Sequence, residues 1–587
     1  MNTRVTQLVI VQALLMVVVC AAGCSQLRHW KSNGYKVGPN YFRPSAEVNP
    51  DWRANEPGEE AAFVTSVTSS SSANHINTRW WESFNDPVLT ELIEEASQNN
   101  QDVKTALHRV LKARFQRRAT AGTLFPQSQT ASGAFNRNQS SLNSGVAVAS
   151  IDRITDTWST GFDLSWELDF WGRIRRQIIA ADADYDAAVE NLDDVLVTLI
   201  GDVAETYLEL RSIDERLTFA KKNIEIQKST LEINETKLEL GDIAKIDVVQ
   251  AKSNLLQTEA TIPPLLQIRR QAENRLSVLL GIPPADIISV IGEGQIPIAP
   301  ETIVVGIPAE LLLRRPDVRA AERIVASQSE QIGIATADLY PTFSITGSLS
   351  LSADEFSDLF RSASSGGSFI PSFSWNILNY GRITNNVRVQ EQGFLEEVSN
   401  YQSAVLVAQQ EVEDAMAQFL YSRREYKILK EAVDAAAEAV DLGEIQWKEG
   451  DIEFNQIFTL QSTLVSLQDQ LVVVELEIAQ GLVNVYRGLG GGWEVRQDRC
   501  IPAVEFAATS ECFESKQHPS VCRKSVGCNC SACSLAQQSQ PQIEYESQPP
   551  LESDFNVPSE TPAKTHGLIS PVTPALTARI TTDEITR

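Results

Sequence analysis

Few residues in this sequence have the type and spacing to do chemistry, and the first is Cys24. An apolar run from Leu8 to Val19 follows Arg4, and Ala21, Ala22 and Gly23 lead into the cysteine. A short basic start, an apolar core and small residues before a break form a secretory signal. With cysteine at the break the chemistry is lipidation: residues 1–23 are removed and Cys24 becomes the acylated first residue. An ordinary signal peptide cut near Ala22, or an uncleaved anchor, would use the same segment. Ser25, rather than aspartate, follows the cysteine, which in bacterial sorting favours the outer membrane.

The other candidates are thin. The 5 histidines, His29, His75, His108, His518 and His566, form no metal-ligand pair and flank no nucleophile. Gly490–Gly492 lacks the Lys-Ser/Thr of a phosphate-cradling loop. Six cysteines near the C-terminus, Cys500, Cys512, Cys522, Cys528, Cys530 and Cys533, suit disulfides in an exported chain or, in the close trio, zinc; an oxidising compartment favours disulfides. No catalytic residue, cofactor or metal site is expected. Lys+Arg 50 against Asp+Glu 76, a net charge of -26, excludes a nucleic-acid binder with a basic face. The most distinctive carboxylates stand around two Gly-Asp pairs: Gly241-Asp242 with Asp247 nearby, and Gly450-Asp451 with Glu453 nearby.

These two pairs are copies of one another. Gly241 and Gly450 are 209 residues apart, as are Trp166 and Trp375, Gly172-Arg173-Ile174 and Gly381-Arg382-Ile383, and Leu280-Gly281 and Leu489-Gly490. Upstream, Asp102-Val103 and Pro126 match Asp317-Val318 and Pro341 at an offset of 215. Self-similarity on this scale means two copies of one supersecondary unit. Each half reads as short helix, strand pair, long helix, Gly-Asp turn, short helix.

The long helices are predicted over Ile174–Leu240 and Arg382–Glu449, both free of proline, with apolar residues recurring at three and four. About 67 residues span roughly 100 Å at 1.5 Å per residue, and a period sustained that far signals coiled-coil-like packing. Helices over about Val88–Phe125 and Ile243–Leu280, end to end, would match one long helix, giving an antiparallel helical wall. In Thr157–Trp166 one face carries Trp158, Phe162, Leu164 and Trp166, and the other Ser159, Gly161, Asp163 and Ser165. Thr342–Leu351 and Phe369–Trp375 alternate in the same way. Such strands fit a lipid-facing barrel with a wet lumen, and equally a half-buried soluble sheet. Asn136–Ser150 and Ala353–Gly367 would be its outer loops. Beyond the N-terminal segment no apolar run reaches the ~18 residues of a spanning helix. Four strands cannot close a barrel, since about eight is the smallest workable number; a barrel therefore requires several copies.

The chain resembles the outer membrane factor (TolC-like) family of tripartite export systems, in its NodT-type lipoprotein branch. The motifs, in order, are Val37-Gly38-Pro39-Asn40-Tyr41 with Pro44; Trp80-Trp81 with Phe84 and Asp86-Pro87; Phe162 with Trp166-Glu167-Leu168-Asp169 and Gly172; Leu313-Arg314-Arg315-Pro316-Asp317-Val318 with Ala320-Ala321-Glu322; Tyr340-Pro341; and Gly488-Leu489-Gly490-Gly491-Gly492-Trp493. The resemblance implies an α+β membrane protein: a homotrimer whose twelve-stranded outer-membrane β-barrel continues into a coiled-coil α-helical tunnel through the periplasm. It implies a periplasmic adaptor and an inner-membrane pump as partners, and no enzymatic activity. The helix tips at Gly241, Asp242, Gly450 and Asp451 match the adaptor-docking tips; a C-cap glycine alone would also explain them. Asp247 stands where the family narrows the tunnel with an acidic ring, but Gln456 and Thr459 replace the acids expected in the second half.

The expected organisation is a signal peptide over 1–23, a lipid-anchored arm and linker over 24–78, repeats over 79–290 and 291–493, and a Cys-containing tail over 494–587. The function expected is export of small toxic compounds across the outer membrane. Ducts for protein secretion or metal-cation efflux share these features, and a periplasm-bridging coiled-coil rod without a channel would share the helices but not the strands.

Overall fold

The structure is a computed structural model and describes residues 30–53, 63–65, 78–141, 153–292, 294–300, 303–305 and 314–498. The signal segment, Cys24 and the six C-terminal cysteines lie outside the described residues.

A short strand, β1 (Phe63–Thr65), lies within the stretch expected to be a linker. A turn of 3-10 helix, Trp80–Phe84, then leads to α1 (Pro87–Asn99), which Asp86 starts by accepting the N–H groups of Val88 and Leu89 at 2.9 and 3.3 Å. Asn100 ends α1 and caps α2 (Gln101–Gly122), accepting from Asp102 and Val103 N–H. The expected continuous helix over Val88–Phe125 is therefore two helices. The hairpin β2 (Ser128–Gln139) and β3 (Ile154–Leu168) follows, then α3 (Arg173–Leu240), 68 residues long.

After the Gly241 turn, α4 (Lys245–Glu259) and α5 (Ile262–Leu279) again replace one expected helix. Pro263 and Pro264 have no N–H for the helical ladder, so a new helix must start there. A single turn, α6 (Ile288–Ile291), ends the first half, and β4 (Ile303–Val305), parallel to β1, leads into the second. The second comprises α7 (Pro316–Ala337), β5 (Thr342–Ala353), β6 (Ser365–Ser374), α8 (Arg382–Glu449, also 68 residues) and the unbroken α9 (Phe454–Gly488). A last turn, α10 (Val495–Asp498), extends the body past Trp493, where the tail was expected to begin. Arg496 on it forms a two-point ion pair with the buried Asp193 (2.5 and 2.9 Å).

The four long strands form one antiparallel sheet in the order β2-β3-β5-β6, so the two hairpins join through β3 and β5. The register sets Phe162 beside Leu349, Trp166 beside Ile345 and Phe343 beside Phe373, all on one face. The other face carries Ser344 bonded to Ser372 (2.9 Å) and Ser348 bonded to Ser368 (2.7 Å). On the apolar face Phe369 is 72% and Leu349 68% exposed within one chain.

Beyond the sheet the helices form a wall. Near the sheet its order is α2, α3, α7, α8; farther away α4 and α5 lie beside α3, and α9 fills the place between α3 and α8. Contrary to the expectation that no later segment is apolar enough, α9 could cross a bilayer by length and composition; it packs instead lengthwise against α3 and α8. The main core sits at the middle of the wall, where Trp80 stacks on Tyr486 at 5.5 Å and Tyr207 donates to Asp86 at 2.6 Å. The N-terminal arm is strapped to this wall. Arg176, fully buried, donates to the carbonyls of Val37 (2.6 Å) and Gly38 (2.9 Å) and to Glu330 (2.6 Å).

Candidate functional site

At the end remote from the sheet, each long helix stops at a glycine. Gly241 has φ +80° and Gly450 φ +91°. In both, the next two N–H groups turn back on the helix: Gly241 to Leu238 and Asp242 to Lys237, Gly450 to Trp447 and Asp451 to Gln446. This left-handed closure is a backbone requirement that glycine meets without strain. Nothing lies within 4 Å of an added Cβ at either position, so both tips present open backbone. Asp242 and Asp451 are exposed beside them.

The structure brings the two tips together. Trp447, Phe454, Ile457 and Ala251 form a buried cluster between them. Lys237 Nζ lies 4.3 Å from the Trp447 ring centroid and donates to the Trp447 carbonyl at 3.1 Å. Gln250 Nε2 donates to Asn455 Oδ1 at 3.0 Å, tying α4 to α9.

Asp247 caps α4: its Oδ2 accepts the Ala244 N–H at 3.2 Å. Gln456 and Thr459 are exposed on the first turns of α9, where the Thr459 hydroxyl donates back to the Asn455 carbonyl. The cap gives the Asp247 carboxylate a folding role at the tip.

Two of the motifs that carry the resemblance, those around Arg315 and Gly488, meet elsewhere, at a joint midway along the wall. Arg315 donates to the Gly488 carbonyl (2.9 Å), to both Asp317 oxygens (3.0 and 2.8 Å) and to Glu411 (2.7 Å). Arg319 lies 5.1 Å from the Trp493 ring centroid. A Cβ on Gly490 would sit 3.0 Å from Arg315 Cα. Arg315, Asp317, Gly488 and Gly490 border a charged cavity of about 500 Å³, with Asp194, Glu411, Asp414 and Arg487 also on its lining. Burial, then the charge of Asp317, pushes the Asp194 carboxyl up, against Arg315 and Arg487. Sequence spacing gave no sign that Arg315 and Gly488, 173 residues apart, would meet. Among the described residues no group of three His, Cys, Asp or Glu is placed to hold a metal ion.

One chain thus forms a helical wall with a sheet at one end, amphipathic across its two faces, and paired glycine tips at the other. The model of the family described as "Outer membrane efflux protein" matches residues 92–282 and 307–491, more than half of the chain, and the chain belongs to that family. It is 30% identical to nodulation protein T of Rhizobium leguminosarum bv. trifolii over 464 residues, 78% of this chain and 95% of that protein. It is 29% identical to the probable efflux pump outer membrane protein SepC of Pseudomonas putida over 467 residues, 79% of this chain and 95% of that one. Among solved structures it matches the outer-membrane channel OprN with TM-score 0.71 and 30% identity, over 78% of this chain and 99% of that one. The Campylobacter jejuni CmeC channel has the same fold (TM-score 0.71, 20% identity, 81% and 98% covered). The protein is thus an outer-membrane efflux channel component that extends into the periplasm.

Proposed function

We propose that three copies close into one duct, a twelve-stranded barrel continued by a helical tunnel, serving a tripartite pump that exports small toxic apolar compounds. The observation that carries this reading is the match between the two ends of one chain's wall. β2 and β6 are the edge strands of the sheet, and an open edge is not tolerated in lipid. In the wall, α8 ends one side with Leu442 and Ile445 exposed, five to eight residues before Gly450; α4 ends the other with Ile246 and Val249 exposed, five to eight residues after Gly241. Apolar stripes at equal height on opposite ends suit a neighbour of the same kind.

The tips at Gly241-Asp242 and Gly450-Asp451 would receive a periplasmic adaptor, which links the duct to an inner-membrane pump. Asp247, with Gln456 and Thr459, would line the aperture, and Cys24 would hold the arm in the membrane by its acyl chains. The cargo class rests on relatives named as toluene and solvent efflux outer membrane proteins of Pseudomonas putida. The test is conductance of the detergent-purified protein in planar bilayers together with its mass in solution. A trimer that conducts is the expected result; a stable non-conducting monomer overturns it. Asp247→Asn should lower the cation preference of that conductance; an unchanged preference removes the aperture role alone.

A further inference from the structure

One stripe of α3 changes character midway. Leu210, Ile213, Leu217 and Ala220 are buried and apolar. At the same three- and four-residue spacing the stripe continues with Asn223, Gln227, Thr230 and Asn234, which are buried as deeply: Gln227 is 3% and Asn234 0% exposed. Asn223 donates to Gln468 Oε1 at 2.9 Å, and Thr230 Oγ1 accepts from Gln461 Nε2 at 3.4 Å, both on α9. The donors and acceptors of the Gln227 and Asn234 amides have no hydrogen-bond partner among the described residues. α4 adds buried Asn254 and Thr258 to the same region.

A buried amide without a partner opposes the packed state, and two of them on successive turns do so twice. The strip lies between firmer ends. Toward the middle of the wall Arg216 pairs with Asp469 (2.6 Å); toward the tip are the Trp447 cluster and the Gln250–Asn455 bond. The repeat supplies a comparison within the same chain. The matching positions of α8 are Ala432, Ala436, Ala439 and Gly443. Ala432, Ala436 and Ala439 are half-buried and carry no polar group, and at Gly443 the packing is close: an added Cβ would lie 2.8 Å from Leu460 Cδ1.

We propose that the strip from Asn223 to Asn234 is a built-in release line, along which the α3–α4 hairpin parts from α9 when the periplasmic end of the duct widens. This rests on the duct reading above. Polar residues at core positions of packed helices fix register while weakening the contact. Parting gives the Gln227 and Asn234 amides solvent as a partner, so the open arrangement regains hydrogen bonds that the closed one lacks. The two arrangements are thereby brought close in free energy, and a ligand that favours one can shift the balance.

Hydrogen exchange on the full-length protein tests the strip directly. Amides of residues 223–238 should exchange at least ten-fold faster than those of residues 432–447; equal rates overturn the proposal. The double variant Gln227→Leu with Asn234→Leu should slow that exchange about ten-fold and lower the open probability in planar bilayers by a similar factor. A folded double variant that conducts like the parent overturns it. Should that variant not fold, Thr230→Cys with Gln461→Cys, joined by a cleavable reagent, replaces it: conductance must fall on joining and return on cleavage, and indifference overturns the release line. A parent protein that never conducts refutes the duct instead, while the exchange contrast still reports on the strip.

Discussion

The two joints at the middle of the wall occupy matching positions and hold the same backbone with different side chains. In the first half Asn100 Nδ2 donates to the Leu279 carbonyl at 2.9 Å; in the second Arg315 Nη1 donates to the Gly488 carbonyl at 2.9 Å. Gly281 and Gly490 stand beside them with φ +74° and +69°. An added Cβ would lie 2.4 Å from the Asn99 carbonyl oxygen in one and 3.0 Å from Arg315 Cα in the other. Duplication has kept the glycine and the carbonyl it exposes, and has let a neutral amide stand where a guanidinium stands in the copy. What is retained is a close approach of two backbones, and the donor that seals it is exchangeable.

The comparison makes the glycines the largest effects. Gly281→Ala forces a left-handed alanine onto a backbone oxygen, which cannot yield as a flexible side chain would. The expected loss is about 3–5 kcal/mol from backbone conformation and overlap together. Gly490→Ala, with more room, should lose about 2–3 kcal/mol. Denaturant midpoints of the purified protein order the two, and a reversed order breaks the comparison. Next is the seal. Arg315→Ala leaves Asp317 and the Gly488 carbonyl without their donor and should cost about 2–4 kcal/mol. Asn100→Ala removes a cap and one bond, about 1–2 kcal/mol. Equal losses would mean the charge adds nothing to the joint. At the tips, Gly241→Ala and Gly450→Ala meet open space, so each should lose only the left-handed penalty of about 1 kcal/mol. Their greater effect is expected on capture of the cognate adaptor, read as binding to the immobilised protein.

Much of this fold is legible in the sequence because it depends on local rules. A proline-free run with three-four periodicity marks α3 and α8 to within a residue, and period-two alternation marks β3, β5 and β6 and their faces; β2 carries no such alternation, and its end at Asn136–Gln139 lies in the stretch expected to be an outer loop. The Gly-Asp repeats mark both helix ends because a left-handed C-cap has few residue choices. The breaks at Asn100 and at Ala260–Thr261 escape the periodicity although their signals are present: an asparagine able to cap, and Pro263-Pro264 able to interrupt. The pairing of β1 with β4 is different in kind, since three-residue strands far apart in sequence carry no period. So is the polar strip on α3. A search for apolar periodicity passes over Asn223, Gln227, Thr230 and Asn234, and only burial shows that they continue the stripe. Arg315 and Trp493 are legible as motif residues, but their meeting with Arg319 and the Gly488 carbonyl is a tertiary fact.

The smallest effect concerns charge across the two halves. Glu475 on α9 is held up at about 7 by burial, then by the negative charge of Glu215 on α3, against Lys430 on α8. Tyr426 on α8 is raised as well, by burial and by Glu475, Glu215 and Asp434, but it titrates outside this range. A carboxyl whose pKa is higher in the folded chain keeps its proton where the unfolded chain has lost it. Stability from this group is therefore full below about pH 4.5 and falls as pH rises toward 7. Glu475→Gln should leave stability at pH 4.5 unchanged and raise it at pH 8, by about 1 kcal/mol once solvent screening of a half-buried group is allowed for. The repeat offers a sharper variant. The position matching Glu215 in the second half is Arg424, and Glu215→Arg places that charge beside Glu475. The Glu475 carboxyl should then ionise nearer its ordinary range and the slope of stability between pH 4.5 and 7 should shrink. Thermal unfolding of the three proteins across that interval reads both changes. A slope that survives Glu215→Arg but vanishes in Glu475→Gln would assign the shift to burial alone, and would separate the two halves electrostatically at that level.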